Sequence, residues 1–224
     1  MKRYLPFIIV GVVALLAVGS GAMLYRARRP APLVSAQNVS AKKTGADRLH
    51  VRGQRDAAVT LEEYGDFQCP PCGTLSPVID EIERNYHPRV RVVFRHFPLP
   101  MHAHAAAAAY AAEAAGLQGR FWEMHDLLYR EQSVWSKATD VQTIFNAYAG
   151  MLGLNADRFK ADMQSAAVKT AVETDHREGA ERGVKSTPTV FINNLALAPT
   201  ALTKPGLQAA IDSAIKESSS PKPK

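Results

Sequence analysis

Two kinds of hydrophobic patterning divide the chain. Leu5–Leu24 is an apolar run broken only by Pro6, Gly11, Gly19, Ser20 and Gly21. Its length, about 20 residues, is what a helix needs to cross a bilayer. Residues 26–56 are rich in Pro, Ala, Ser, Lys and Gly. They read as a flexible tether that ends in a short strand. Alternation begins next. Val59, Leu61 and Glu63 share one face of a predicted strand, and Thr60, Glu62 and Tyr64 the other. The first set is expected to be the buried one. Leu75, Val78, Ile79 and Ile82 then recur at helical spacing, predicting a helix to about Tyr86, kinked at Pro77. Val90–Phe97, β-branched and aromatic, predicts a second strand.

Residues 102–183 read as helical throughout. The predicted segments are His104–Ala115, Phe121–Arg130, Val141–Leu152, Ala156–Gln164 and Val168–Arg182. Extended structure returns at Thr189–Asn193. Asn193-Asn194 is a turn signal, and Leu195–Ala198 can pair back. Gly206–Lys216 is a last predicted helix, and Ser218–Lys224 a loose tail. The order predicts one α/β domain over 57–217. Its sheet is interrupted by a helical insertion at about 102–183, and residues 1–25 precede it as a transmembrane segment.

Charge narrows the functional classes. The net charge is +6, but Lys2, Arg3, Arg26, Arg28 and Arg29 supply five of those charges before the first acid, Asp47. Removing them leaves +1 for residues 30–224. A nucleic-acid surface needs clustered Lys and Arg on the folded body, so that class is excluded. Positive residues on both sides of Leu5–Leu24 give no orientation vote. A full-length apolar core favours an uncleaved signal-anchor, with cleavage near Gly19–Ala22 the alternative. Either reading exports residues 30 onward if the short amino-terminal end stays in the cytoplasm. The expected location is therefore the cell membrane, single-pass, with the folded domain on the extracytoplasmic, periplasmic side.

The chain has two cysteines, Cys69 and Cys72. In an exported protein a cysteine pair is by default a structural disulfide. A bridge spanning two residues closes almost no loop and so adds little stability. Zinc would need two more ligands, and His102 and His104 are the only close pair in sequence, so no metal or cofactor is expected. Redox chemistry fits the placement. Cys69 lies where a strand ends and a helix begins, and a helix N-terminus offers unpaired N–H groups and a partial positive charge. Both favour the thiolate, which is the nucleophile in exchange. Cys72 sits one turn on, positioned to resolve a mixed disulfide. Pro70 and Pro71 suit a helix start, although Pro71 removes a donor.

Strand parity puts Glu63 on the expected buried face, six residues before Cys69. A buried carboxyl has a raised pKa and can exchange protons with a thiol; the alternative is an edge-strand glutamate reaching water. Pro188 in Ser186-Thr187-Pro188-Thr189 is a candidate cis-proline. Facing the cysteines, it would leave backbone groups free for an incoming peptide. Pro70, Pro71 and Thr187 are the candidate substrate contacts. His96, His102, His104 and His125 read as packed or surface histidines.

Three segments carry a family likeness: VTLEEYGDFQCPPC at 59–72, His102–Tyr129 with its QGRFWEMHDLLY core, and GVKSTPTVFIN at 183–193. Together they resemble the DsbA-like branch of the thioredoxin superfamily over roughly 57–216. The resemblance implies a thioredoxin fold with a helical insertion. It implies that Cys69 is the exposed nucleophile, Cys72 the resolving thiol, Pro188 the cis-proline opposite them and Glu63 the buried acid. Strongly oxidising DsbA proteins carry His just before the second cysteine, where this chain has Pro71. Thr187 before Pro188 also occurs in isomerase and reductase relatives. The expected activity is a dithiol oxidase. It would act on unfolded or partly folded exported proteins with free thiols, and a redox partner would regenerate it. A reductase or isomerase on the same scaffold, and a tethered chaperone or binding module, are the alternatives.

Overall fold

A computed structural model of the protein describes residues 50–219. The apolar run Leu5–Leu24, most of the tether and residues 220–224 lie outside the described residues. Among the described residues no helix is long and apolar enough to cross a membrane.

Among the described residues five strands form one sheet: β1 (His50–Gly53), β2 (Val59–Gly65), β3 (Val90–His96), β4 (Thr189–Ile192) and β5 (Leu195–Ala196), in the order β1-β3-β2-β4-β5. β2 and β3 run parallel, joined by the crossover helix α1 (Pro70–Tyr86), while β1, β4 and β5 are antiparallel to their neighbours. The sheet therefore reaches back to residue 50, within the stretch read as tether. β4 and β5 are joined by Asn193-Asn194, both at positive φ (47° and 72°), as a tight hairpin of right-handed twist requires. The amide N–H of Thr60 donates to Asn193 Oδ1 at 2.8 Å, tying that turn to β2.

Between β3 and β4 lie six helices: α2 (Ala105–Gly116), α3 (Phe121–Arg130), α4 (Gln132–Trp135), α5 (Val141–Met151), α6 (Ala156–Gln164) and α7 (Ala166–Glu181). The short α4 was not expected from the pattern. Asp140, Asn155 and Ser165 cap α5, α6 and α7 by accepting from N–H groups of Thr143, Arg158 and Val168, each worth about 1 kcal/mol. The last helix, α8 (Lys204–Ser219), runs into the stretch expected to be a loose tail.

Three apolar clusters hold these layers. Val59, Leu61, Val92, Val190 and Ile192 of the sheet pack on Leu75, Ile79 and Ile82 of α1 and on Leu207 and Ile211 of α8. The insertion has its own core, in which Ala108, Ala111, Ala112 and Ala115 let α2 approach Leu128, Trp135, Phe145 and Phe159 closely. Each large side chain buried there contributes roughly 1.5–3 kcal/mol. The third cluster, Tyr64, Phe97, Val184 and Phe191, lies on the opposite sheet face.

That opposite face corrects the strand reading. Glu62 and Tyr64, expected to be outward, are buried as well, because β2 is the central strand and α7 covers its second side. A Cβ on Gly179 of α7 would stand 2.7 Å from the Tyr64 ring. Glu62 tolerates burial because it is paired. Arg95 Nε donates to it at 3.0 Å and Arg182 to its other oxygen at 2.5 Å, while Arg95 Nη1 also reaches Asp175 at 2.7 Å.

Candidate active site

Cys69 is the N-cap of α1, with an extended backbone (φ −74°, ψ 118°), and Pro70 and Pro71 fill the first helical turn. Proline fits there because its φ is helical and its missing N–H has no intrahelical partner at that end. Both prolines are solvent-exposed. The turn before the helix is held from outside. Gln132 Nε2 donates to the carbonyls of Phe67 at 2.7 Å and Cys69 at 2.9 Å. Gln68 Oε1 accepts from the His104 N–H at 2.6 Å. Asp66, whose side chain has no solvent exposure, accepts from the Gln68 and Leu99 N–H groups and from His102 Nδ1, at 2.7, 2.9 and 2.7 Å.

Both cysteines are reduced, and both are buried. Cys69 is 5% exposed and Cys72 wholly covered. The expectation of an exposed nucleophile is thus corrected. The Thr187–Pro188 loop lies over Cys69, and the sulfur stands 3.3 Å from the Thr187 carbonyl oxygen. The Thr187–Pro188 peptide bond is cis, as is His87–Pro88, which sequence reading did not single out. Pro188 itself is half-buried.

The two sulfurs are electrostatically unlike. A hydrogen bond from the Cys72 thiol holds the Cys69 thiol down to about 6, against the opposing effect of burial. Smaller help comes from the Thr187 side chain and from the Cys72 backbone N–H. Cys72 is pushed far above the ordinary thiol range, first by burial, then by its bond to Cys69 and the nearby Glu63 carboxylate. Glu63 is 2% exposed, between Phe94 and Val190 on the neighbouring strands. Burial, with the charges of Asp80 and Cys69, raises its carboxyl to about 8, and its Oε1 has no hydrogen-bond partner. Its position on the central strand removes the edge-strand alternative.

The structure adds residues that the sequence reading gave no role. The Tyr129 hydroxyl is buried without a partner, and its pKa is raised by burial and then by the charges of Cys72 and Glu63. It closes over Gly65, where a Cβ would stand 2.9 Å from it. Phe67, Phe94, His125 and Tyr129 pack ring against ring, with Phe67–Phe94 centroids 5.1 Å apart. Tyr129 and Gln132 are reached only through the insertion, and no spacing rule linked them to the cysteines. His102 and His104 do not pair; they hold Asp66 and Gln68 respectively. A different set converges elsewhere: His50, His96 and Glu113.

A strand-to-helix turn carrying two unlike thiols, closed by a cis-proline loop and inserted with helices, defines the scaffold. The thioredoxin family profile, described as "Thioredoxin", matches residues 46–213. The chain belongs to the thioredoxin family. DsbA2 of Pseudomonas aeruginosa is 25% identical, with a TM-score of 0.62 over 75% of this chain and 96% of that one. Oxidised BdbD of Bacillus subtilis, 21% identical, superposes with a TM-score of 0.68 over 76% and 94%. The fold is therefore that of the DsbA-like proteins, a thioredoxin scaffold with a helical insertion. Among curated sequences, a protein named Na(+)/H(+) antiporter NhaA 1, from Salinispora arenicola, is 45% identical over 151 residues. That match covers 66% of this chain and 22% of the antiporter, so the chain spans about a fifth of that relative's length.

Proposed function

We propose that this DsbA-like protein is a dithiol oxidase that forms disulfides in exported proteins. One observation carries the reading: the Cys69 thiol is held near 6 while Cys72, one helical turn deeper, is held high. A low-pKa thiolate is a good leaving group and stabilises the reduced state, which makes the disulfide more oxidising.

The cycle starts from a Cys69–Cys72 disulfide. A substrate thiolate attacks the Cys69 sulfur, forming a substrate–Cys69 bond and breaking the Cys69–Cys72 bond. Cys72 leaves with the electron pair and needs a proton, because its thiolate is poorly tolerated where it lies. Glu63, protonated below about 8, is the buried acid that can give it. A second substrate thiolate then attacks the substrate sulfur and releases Cys69 as thiolate. The substrate loses two electrons and two protons; the pair is left reduced, as the Cys69 thiolate and the Cys72 thiol, one proton restoring Glu63 and the other passing to solvent. A disulfide or quinone oxidant must return it to the disulfide state. Pro70, Pro71 and the Thr187 carbonyl form the rim against which an extended substrate would lie.

The run Leu5–Leu24 supports a single-pass anchor, with the domain tethered on the extracytoplasmic side. Equilibration of the Cys69–Cys72 pair against glutathione tests the direction. A potential near about −120 mV fits an oxidase, and one near about −270 mV a reductase. The second reading, a reductase or isomerase, is favoured by one feature: Pro70 and Pro71 leave the first turn of α1 with two fewer N–H donors. A Cys69→Ser variant that keeps full activity in a chaperone assay, with no thiol exchange in the parent, would point to a binding module instead.

A further inference from the structure

His50, His96 and Glu113 come from three different elements, β1, β3 and α2. His50 stands opposite Phe94 in the β1–β3 register, so His50 and His96 emerge on the same sheet face. α2 reads AAAAAYAAEAAG, and Glu113 is its one charged residue. Glu113 Oε1 lies 2.6 Å from His50 Nε2 and 2.9 Å from His96 Nε2. All three candidate ligand atoms fall within 4.8 Å of one another.

The rings are held in place by packing. His50 stacks flat on Phe121, with centroids 3.3 Å apart, and His96 stands edge-on to Phe94 and Phe121. Gly116 of α2 makes room for His50, since a Cβ there would stand 3.3 Å from Cε1. His96 is 1% exposed and its Nδ1 has no hydrogen-bond partner. Facing the Glu113 carboxylate, Nε2 of His96 and of His50 each donate a proton to it, and a metal ion taking these atoms would displace those protons. The His50 side chain keeps 17% exposure, which leaves a route from solvent.

We propose that His50, His96 and Glu113 form a binding site for a divalent transition-metal ion of the zinc type. Two imidazoles and one carboxylate are a donor set that zinc takes with a fourth position open to water. Such softer nitrogen donors select against magnesium and calcium, which prefer all-oxygen sets. Ligand atoms around tetrahedral zinc lie ~3.3 Å apart. The two nitrogen–oxygen separations must open by less than 1 Å, and the two nitrogens, within 4.8 Å of each other, must draw together, motions within reach of the partly exposed His50 end. The ion would staple β1, where the described fold begins, to the sheet and to the helical insertion. It uses no group of the cysteine site.

The cysteine pair could also bind zinc, so the test uses the full chain, untagged, with Cys69→Ser and Cys72→Ser. Zn²⁺ is titrated by calorimetry, with Mg²⁺ and Ca²⁺ as controls. One equivalent of Zn²⁺ should bind and raise Tm, while the controls give neither. Adding Glu113→Gln, which keeps an acceptor oxygen for the imidazoles, should weaken binding about tenfold or more, the scale seen even for outer-shell changes. Adding His50→Ala instead should do the same. If either variant misfolds, Co²⁺ in the parent serves: tetrahedral d–d bands from nitrogen and oxygen donors support the site. Absence of stoichiometric Zn²⁺ binding, equal binding in both variants, or Co²⁺ without tetrahedral bands overturns the proposal and leaves a hydrogen-bonded clamp.

Discussion

The sulfur of Cys69 lies 3.3 Å from the carbonyl oxygen of Thr187, across 118 residues of sequence. The contact joins the start of α1 to the loop before β4, so the nucleophile is positioned by two separate parts of the chain. It also means that Cys69 is met by a backbone acceptor and a hydroxyl rather than by bulk water.

Reaction of Cys69 with iodoacetamide should therefore rise with pH along a single step centred near 6. Cys72→Ala removes the largest stabiliser of the thiolate and should move the step up toward the ordinary thiol value, about 8.5. Thr187→Val should move it in the same direction by less. Folded-state depression also sets a stability trend. The reduced protein gains stability from Cys69 that is complete above the unfolded thiol value and disappears as pH falls through about 6. Urea titrations of reduced and oxidised protein should diverge in favour of the reduced form between those limits. A parent midpoint already near 8.5 refutes the thiolate assignment.

Glu63 has the opposite sign. Its folded-state value, about 8, lies above the ordinary carboxyl value of 4.5, so folding favours its protonated form. The contribution is intact below 4.5 and is lost as pH rises through 8. Glu63→Gln should leave stability unchanged near pH 4 and raise it at pH 8 by roughly 4 kcal/mol. Release of Cys72 during attack on the disulfide should slow in the same variant, because the proton donor is gone. Faster or unaltered exchange in the variant would remove Glu63 from the proton path.

Gln132→Ala should loosen the turn that presents Cys69. Its side-chain amide donates to two backbone carbonyls, of Phe67 and Cys69. Losing them costs about 1–2 kcal/mol. Thiol exchange should slow with no large movement of the Cys69 alkylation midpoint, since the amide touches the backbone and not the sulfur. Stopped-flow exchange and the pH profile separate the two effects; a midpoint shift with unchanged rate contradicts the positioning role.

Arg95→Met tests the second sheet face. Arg95 is 5% exposed and donates to both Glu62 and Asp175. Its removal strands buried carboxylates and should cost about 3–5 kcal/mol in urea unfolding. A cost under about 1 kcal/mol would mean that the face hydrates on mutation and that α7 is not firmly seated there.

Much of this was legible in the chain itself. The alternation at 59–64, the helical spacing after Cys72 and the Asn193-Asn194 signal are local patterns, and local backbone preference suffices to realise them. The same holds for a thiol at the mouth of a helix, since Cys69 and the first turn of α1 are neighbours in sequence. Other features depend on what packs against what. Glu62 is buried because α7 returns over β2, with Arg95 and Arg182 to neutralise it. The shelter over Cys69, the unpartnered Tyr129 hydroxyl beside Glu63 and the brace from Gln132 join residues far apart in sequence. So does the meeting of His50, His96 and Glu113. Periodicity reports which face of an element is apolar. It carries no information on which distant side chain fills the space opposite, and burial, the cause of the raised Glu63 and Cys72 values, is decided only there.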